Sequence, residues 1–221
     1  MLNIEVLATV IVFLASLAAF IYGVVTILIR KKALYLKMIV LAVACILISR
    51  LYLVLQYLTR GEIPDGFHVG ILGGVGCFLF LLSSNYGQMD SLADDGSAQF
   101  AKYRLISWLA PVVLIIVYIP TFMAGGTLDK VVGYTVAMVF VVISARFHLK
   151  HLIFPDVDYG IIKCIRGYNA LALLLCLAVT VTFMSEVNSF TYLYLAANIV
   201  IAGCCVAILP VLRKEAAKWT I

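Results

Sequence analysis

Charge is what this sequence has least of. It holds 16 Lys or Arg and 11 Asp or Glu in 221 residues, 12% in all, where a soluble domain carries about a quarter. No Asp or Glu falls in the middle of any long apolar run, which argues against classical proton coupling through a buried carboxylate. The six cysteines make no CxxC. Five of them (Cys45, Cys77, Cys176, Cys204 and Cys205) sit inside apolar runs and Cys164 just before one, so they read as small packing residues rather than a disulfide framework. No serine or cysteine has a partnered general base, so no catalytic nucleophile is named and catalysis is the lesser expectation. The last apolar run has no lysine for a retinal link. His68 lies at the opposite end of the bundle from His148 and His151, which excludes a haem held by two histidines. No cofactor is expected.

Apolar residues fill the space that charge leaves. They make up 65% of the chain, and the mean hydropathy is +1.13. No soluble fold of this length hides that much apolar surface, so the solvent for most of the chain is lipid. Seven runs are long enough to be read as spans: Val6–Ile29, Ala33–Leu58, Phe67–Ser84, Leu105–Met123, Val131–Phe147, Tyr168–Met184 and Phe190–Leu212. The fifth and sixth are the shortest and weakest. The runs are continuously apolar rather than alternating, which selects helices over a barrel. The expected fold is an all-α membrane protein, a seven-helix bundle in one domain over residues 1–221. The first run is too long for a signal-peptide core and no basic residue precedes it, so Ser16-Leu17-Ala18 reads as mid-helix rather than a cleavage site.

Basic residues set the direction. With the N-terminus outside, thirteen Lys and Arg fall in inner segments and two, Arg60 and Lys130, in outer ones. That bias predicts N-out and C-in, in a plasma or inner membrane. The net charge of +5 is a topology signal and not a nucleic-acid one. The outer connections are short, while the two longest loops, "SNYGQMDSLADDGSAQFAKYR" and "HLKHLIFPDVDYGIIKCIRGYN", are inner. An outer ligand therefore has to go into the bundle itself.

The sixteenth basic residue, Arg50, lies about eight residues inside the second span, roughly 12 Å deep. Placing it there costs on the order of 3 kcal/mol, so it should face inward and have a partner. Asn198 of the seventh span sits at matching depth and offers a neutral oxygen. Ser49, Tyr52 and Gln56 share one face of the second span, with Arg50 at its edge. His68, Tyr118, Tyr134, Thr180, Thr182, Tyr192 and Tyr194 add polar groups at the outer level, while the inner half reads as plainer. Together these predict an outward-facing polar cavity with Arg50 and Asn198 at its floor. The expected ligand-binding set is Arg50, Tyr52, Gln56, His68, Tyr118, Tyr134, Tyr194 and Asn198. A guanidinium without a committed carboxylate suits a small anionic or amphiphilic ligand. The competing reading makes Arg50 a pin between helices and the tyrosines an aromatic belt.

Three other patterns are weaker. Gly70 and Gly74 form a GxxxG with Gly73 and Gly76 alongside, which predicts close helix packing. His148 and His151, with Asp156 and Asp158 beyond Pro155, have a spacing that a metal can use, though interfacial histidines near lipid head groups are the plainer expectation. The acidic "MDSLADDGS" lacks the register of a calcium loop and reads as a solvated turn, or a dock for a basic partner. Spans one to three and five to seven share an orientation if the fourth is a linker, a 3+1+3 layout, but Arg50 has no counterpart in span six. Pro111, Pro120 and Pro210 are candidate kinks.

The functional expectation is a receptor-like or sensory module with a lipid bilayer around it, a small anionic ligand in its cavity and a cytoplasmic or membrane signalling partner. A facilitative transporter of a small polar solute is the alternative. A lipid-modifying enzyme working at the inner face through His148, His151 and Asp156 comes third.

Overall fold

A computed structural model describes residues 4–64, 66–90, 94–124, 127–155 and 164–218, with 87–89 described for their backbone alone. The chain is all-helical, with 85% of it in helices. Among the described residues, seven long helical elements follow one another: α1 (Ile4–Gly23), α2 (Leu34–Arg60), α3 (Val69–Ser84), α4 (Ala98–Met123), α5 (Leu128–Ile153), α6 (Arg166–Val187) and α7 (Thr191–Ala216). A π-helical turn, Val24–Leu28, extends α1, and another, Asn85–Asp90, extends α3. Six of the seven are long and apolar enough to cross a membrane, and α3 is a shorter apolar helix.

The helix ends depart from the apolar runs for an electrostatic reason. Hydropathy falls at the first charge, but backbone hydrogen bonding continues. The fifth run, read from sequence as among the shortest, becomes a 26-residue helix because Leu128, Asp129 and Lys130 precede it and His148, Lys150 and His151 carry it past Phe147. The sixth becomes a 22-residue helix. The shortest is instead α3, with 16 residues, about 24 Å at 1.5 Å per residue. His68 precedes it with an extended backbone, φ −143° and ψ 164°. Within α4 the helix is interrupted at Ser107–Trp108 and at Ile119. Pro111 and Pro120 lack the N–H that would bond the carbonyls four residues back, which accounts for both interruptions. Pro210 lies inside α7, which runs through it.

The packing order is a ring. In sequence around it stand α1, α2, α3, α5, α6 and α7, with α7 returning to α1. Helix α4 stands outside the ring and packs on α5 and α6. Buried contacts are rich in small residues, including Ala8, Ala42, Ala137, Ala145, Ala172 and Ala202. Large apolar side chains such as Leu14, Ile21, Leu55, Leu105, Ile116 and Phe122 face outward. A soluble protein does not leave so much apolar surface uncovered, whereas helices in lipid associate by close approach of small residues. These features point to an integral membrane protein.

The α2–α3 contact shows how close the approach is. A Cβ on Gly73 would stand 2.5 Å from Ser49 Cβ and 2.6 Å from the Cys45 carbonyl oxygen. Gly76 meets Cys45 in the same way, and Gly74 has open space. The close-packing stripe is therefore Gly73 and Gly76, while Gly74 belongs to the wall of a cavity.

At the far side of the ring, α6 and α7 are tied at both ends. The outer turn places Ser189 at φ 58°, with the Phe190 N–H donating to the Ser185 carbonyl at 2.8 Å. At the inner end both Glu215 oxygens accept backbone N–H groups of α6, from Gly167 at 2.9 Å and Tyr168 at 3.0 Å. Only a glycine leaves room for that carboxylate at position 167.

Candidate functional site

A cavity of about 80 Å³ opens among α2, α3, α5, α6 and α7, with Ser49, Arg50, His68, Tyr134, Glu186 and Tyr194 in its wall. Arg50 is half-buried, and its Nη2 donates to Asn198 Oδ1 at 3.1 Å. Asn198 is fully buried, and its Nδ2 donates to the Tyr194 carbonyl at 2.9 Å. That second bond fixes the amide so that its oxygen faces the guanidinium. The Tyr194 side chain lines the cavity with Arg50. Among the described residues no carboxylate lies within 4.0 Å of Arg50. Its partners are neutral, and a guanidinium has five donors.

The carboxylate of this region is Glu186, near the end of α6. It pairs with Lys130 of α5 at 3.2 Å and meets the Tyr134 hydroxyl. Tyr134 stacks on Phe183 at 4.4 Å, 9° from parallel, so its hydroxyl is held in place. The cavity thus has one cation without an ionic partner and one anion already compensated. Reading the acids by their distance from span ends places Glu186 above the cavity. In the structure it forms part of the wall.

The expected ligand set divides in three. Arg50, His68, Tyr134 and Tyr194 line the cavity, and Asn198 stands directly behind Arg50. Tyr52 acts at one remove, stacked on His68 at 5.9 Å. Ser49, on the same face, donates to the Gly70 carbonyl at 2.6 Å. That face of α2 therefore holds the start of α3 in place. Gln56 and Tyr118 do not join the site. The Tyr118 hydroxyl bonds Thr135 at 3.2 Å, because α4 lies outside the ring and cannot reach its interior. Of the other outer polar groups, Thr182 lines the cavity, whereas Thr180 bonds the Cys176 carbonyl and Tyr192 is exposed.

The inner half, plain by sequence, holds the denser polar cluster. Asn85, His148 and Asn169 come from the ends of α3, α5 and α6, and each has 0% of its surface exposed. Asn169 Nδ2 donates to the Ile165 carbonyl at 3.0 Å, so its oxygen faces the other two. Asn85 Nδ2 stands 3.2 Å from that oxygen and 2.8 Å from His148 Nδ1. His148 Nδ1 is itself 2.9 Å from the same oxygen. One ring nitrogen cannot donate to the oxygen and accept from the amide in the same tautomer. In either tautomer His148 Nε2 has no protein partner.

Beside this trio an ion-pair network fastens the acidic loop to α5. Lys150 Nζ lies 2.6 Å from Asp90 and 2.7 Å from Asp94, and Arg104 reaches Asp94 at 2.8 Å. His151 Nε2 meets Asp90 at 3.1 Å. Burial alone would raise both carboxyls. Hydrogen bonds from His151 and Lys150 onto Asp90, and from Lys150 and the Gly96 N–H onto Asp94, outweigh it and hold both below the ordinary aspartate value.

Two sequence expectations change here. His148 and His151 are fully buried, not interfacial. Asp90 and Asp94 of the acidic stretch are paired with the protein's own basic residues, while Asp95 is exposed as a solvated turn would have it. The two histidines also diverge, one toward Asn85 and Asn169 and the other toward Asp90. Asp156 and Asp158 lie outside the described residues, as does Asp65. Among the described residues no group of three or more His, Cys, Asp or Glu could hold a metal ion.

Between the two polar regions lies a layer of apolar side chains. Ile39, Val43, Ile46, Leu81, Leu175 and Ile208 surround a void of about 10 Å³, at the lower limit for a single water. Comparison with protein-family models, curated proteins and solved structures finds no match to this chain.

Proposed function

We propose that this chain is a receptor-like or sensory seven-span membrane protein of the plasma (inner) membrane, with its N-terminus outside and its C-terminus in the cytoplasm. Its ligand is a small anion, or the anionic head of a small amphiphile, held at Arg50. The observation that carries this reading is a half-buried guanidinium beside a cavity of about 80 Å³, with neutral partners only among the described residues. Carboxylate and guanidinium match in a two-pronged geometry. A ligand there competes with Asn198 for Arg50, and that bond ties α2 to α7. Occupancy would change the link between the two helices, and a cytoplasmic or membrane partner would read the change at their inner ends.

A facilitative transporter of a small polar solute is the second reading, favoured by the ring of six helices with α4 outside it. The apolar layer beneath the cavity favours a receptor, because a solute has no continuous polar path in this conformation. A lipid-modifying enzyme at the inner face is not carried further, since His148 and His151 are both fully buried.

The test is mass spectrometry of small molecules released from purified wild type and from Arg50→Gln. The expected result is an anionic species present in wild type and lost from a folded variant. Equal recovery from both proteins removes Arg50 from ligand binding. Uptake of the recovered species into liposomes by wild type alone turns the reading to transport.

A further inference from the structure

Helix α4 leaves a gap where it lies against the ring. A groove of about 410 Å³ runs between α4, α5 and α6, and all its lining residues are apolar, among them Leu109, Val113, Leu149, Ala170, Leu174 and Leu177. Four of these six are exposed large hydrophobics or stand among them on α4 and α6, so the groove opens sideways rather than into the ring.

One end of the groove is marked by charge. On α6, Ala170, Leu174 and Leu177 follow Arg166 by four, eight and eleven positions, which places all four on one helical face. Arg166 is exposed, and among the described residues its one hydrogen bond goes from Nη2 to the Phe154 carbonyl at 3.3 Å. Among the described residues, two cations of α5 are engaged elsewhere. Arg146 lies 4.2 Å above the Trp108 ring, and Lys150 is held by Asp90 and Asp94. Glu215, which approaches the start of α6, accepts the Gly167 and Tyr168 N–H groups.

The length of the feature is informative. Eleven residues of helix from Arg166 to Leu177 rise about 16 Å, close to half of a hydrocarbon core of about 30 Å. The groove is one leaflet deep, with a guanidinium at the head-group end and no polar group along it. We infer that the groove binds one phospholipid with an anionic head group, an acyl chain lying along Ala170–Leu177 and the phosphate on Arg166. The inference does not depend on which face of the membrane is cytoplasmic, nor on the reading of the Arg50 cavity.

The test is native mass spectrometry of the full chain after exchange in detergent with equimolar phosphatidylglycerol and phosphatidylcholine. Wild type should retain one phosphatidylglycerol with a preference of about fivefold, the weight of one basic side chain near an anionic lipid surface. Arg166→Gln should abolish the preference while leaving lipid bound. Ala170→Trp, which fills the groove from an exposed position, should reduce retention of both lipids. Lys218→Gln, which removes another exposed cation, should change nothing. Equal retention of the two lipids by wild type overturns the proposal, as does a preference that survives Arg166→Gln or falls equally with Lys218→Gln. Undiminished retention in Ala170→Trp, or release of the bound lipid by millimolar inorganic phosphate alone, overturns it as well.

Discussion

The two polar regions of this bundle hold similar residues and solve opposite problems. At the outer end Arg50 is half-buried, adjoins open volume and has neutral partners. At the inner end Lys150 is 5% exposed and lies between two carboxylates. Partnering separates the two. A buried ion pair is a poor place for a ligand, because breaking it leaves an uncompensated charge, whereas a cation with unfilled donors beside a cavity is already arranged to accept one. On the proposed reading, the inner region serves stability and the outer one serves binding.

The largest expected effect is at Lys150. Lys150→Met removes the cation between Asp90 and Asp94 and should lower stability by about 3–5 kcal/mol, the range for breaking a buried pair. Thermal unfolding in detergent measures it, and a loss smaller than that of Arg50→Gln inverts the comparison. Next comes the amide trio. Asn169→Leu takes the acceptor from both Asn85 and His148 and should cost about 1–3 kcal/mol, read by the same assay, with the outer ligand still bound. Arg50→Gln should cost less, about 1 kcal/mol, because the guanidinium is only half-buried and its hydrogen bond to Asn198 is made to a neutral amide. Its main effect should be on ligand retention.

Acid sharpens the comparison without a mutation. Asp90 and Asp94 titrate below their ordinary value, so what they contribute to stability is present above the unfolded aspartate pKa of about 3.9. It is lost as pH falls through the lower folded values. Amide exchange at Asp94–Ser97 should accelerate in that window. Exchange at Gly70–Gly74, beside the outer cavity, should not follow it. Parallel acceleration at both places would mean that the two regions are coupled.

Much of this was legible in the sequence, for identifiable reasons. The helices follow from apolar runs, and the depth match between Arg50 and Asn198 follows from counting residues. The order of helices around the ring is not a local property, so Tyr118 was grouped with residues it never meets. Counting residues places Glu186 at the outer boundary above Arg50, and only the fold shows it in the cavity wall. The inner network left a trace in the sequence. The basic "RFHLKH" and the acidic "DSLADD" lie on the same side of the membrane with opposite sign. The trio of Asn85, His148 and Asn169 left none, since three helices contribute one residue each.

The clamps on α6 and α7 have a mechanical meaning. Slipping one helix along the other by a turn, about 5.4 Å, would tear the Glu215 carboxylate from Gly167 and Tyr168 and unwind the tight corner at Ser189. Sliding is therefore blocked, while rocking the two helices together as one stiff beam breaks neither clamp. Asn198 lies near the outer end of that beam and Ala216 at the other. The two clamps therefore resist movement of one helix along the other more than tilting of the pair.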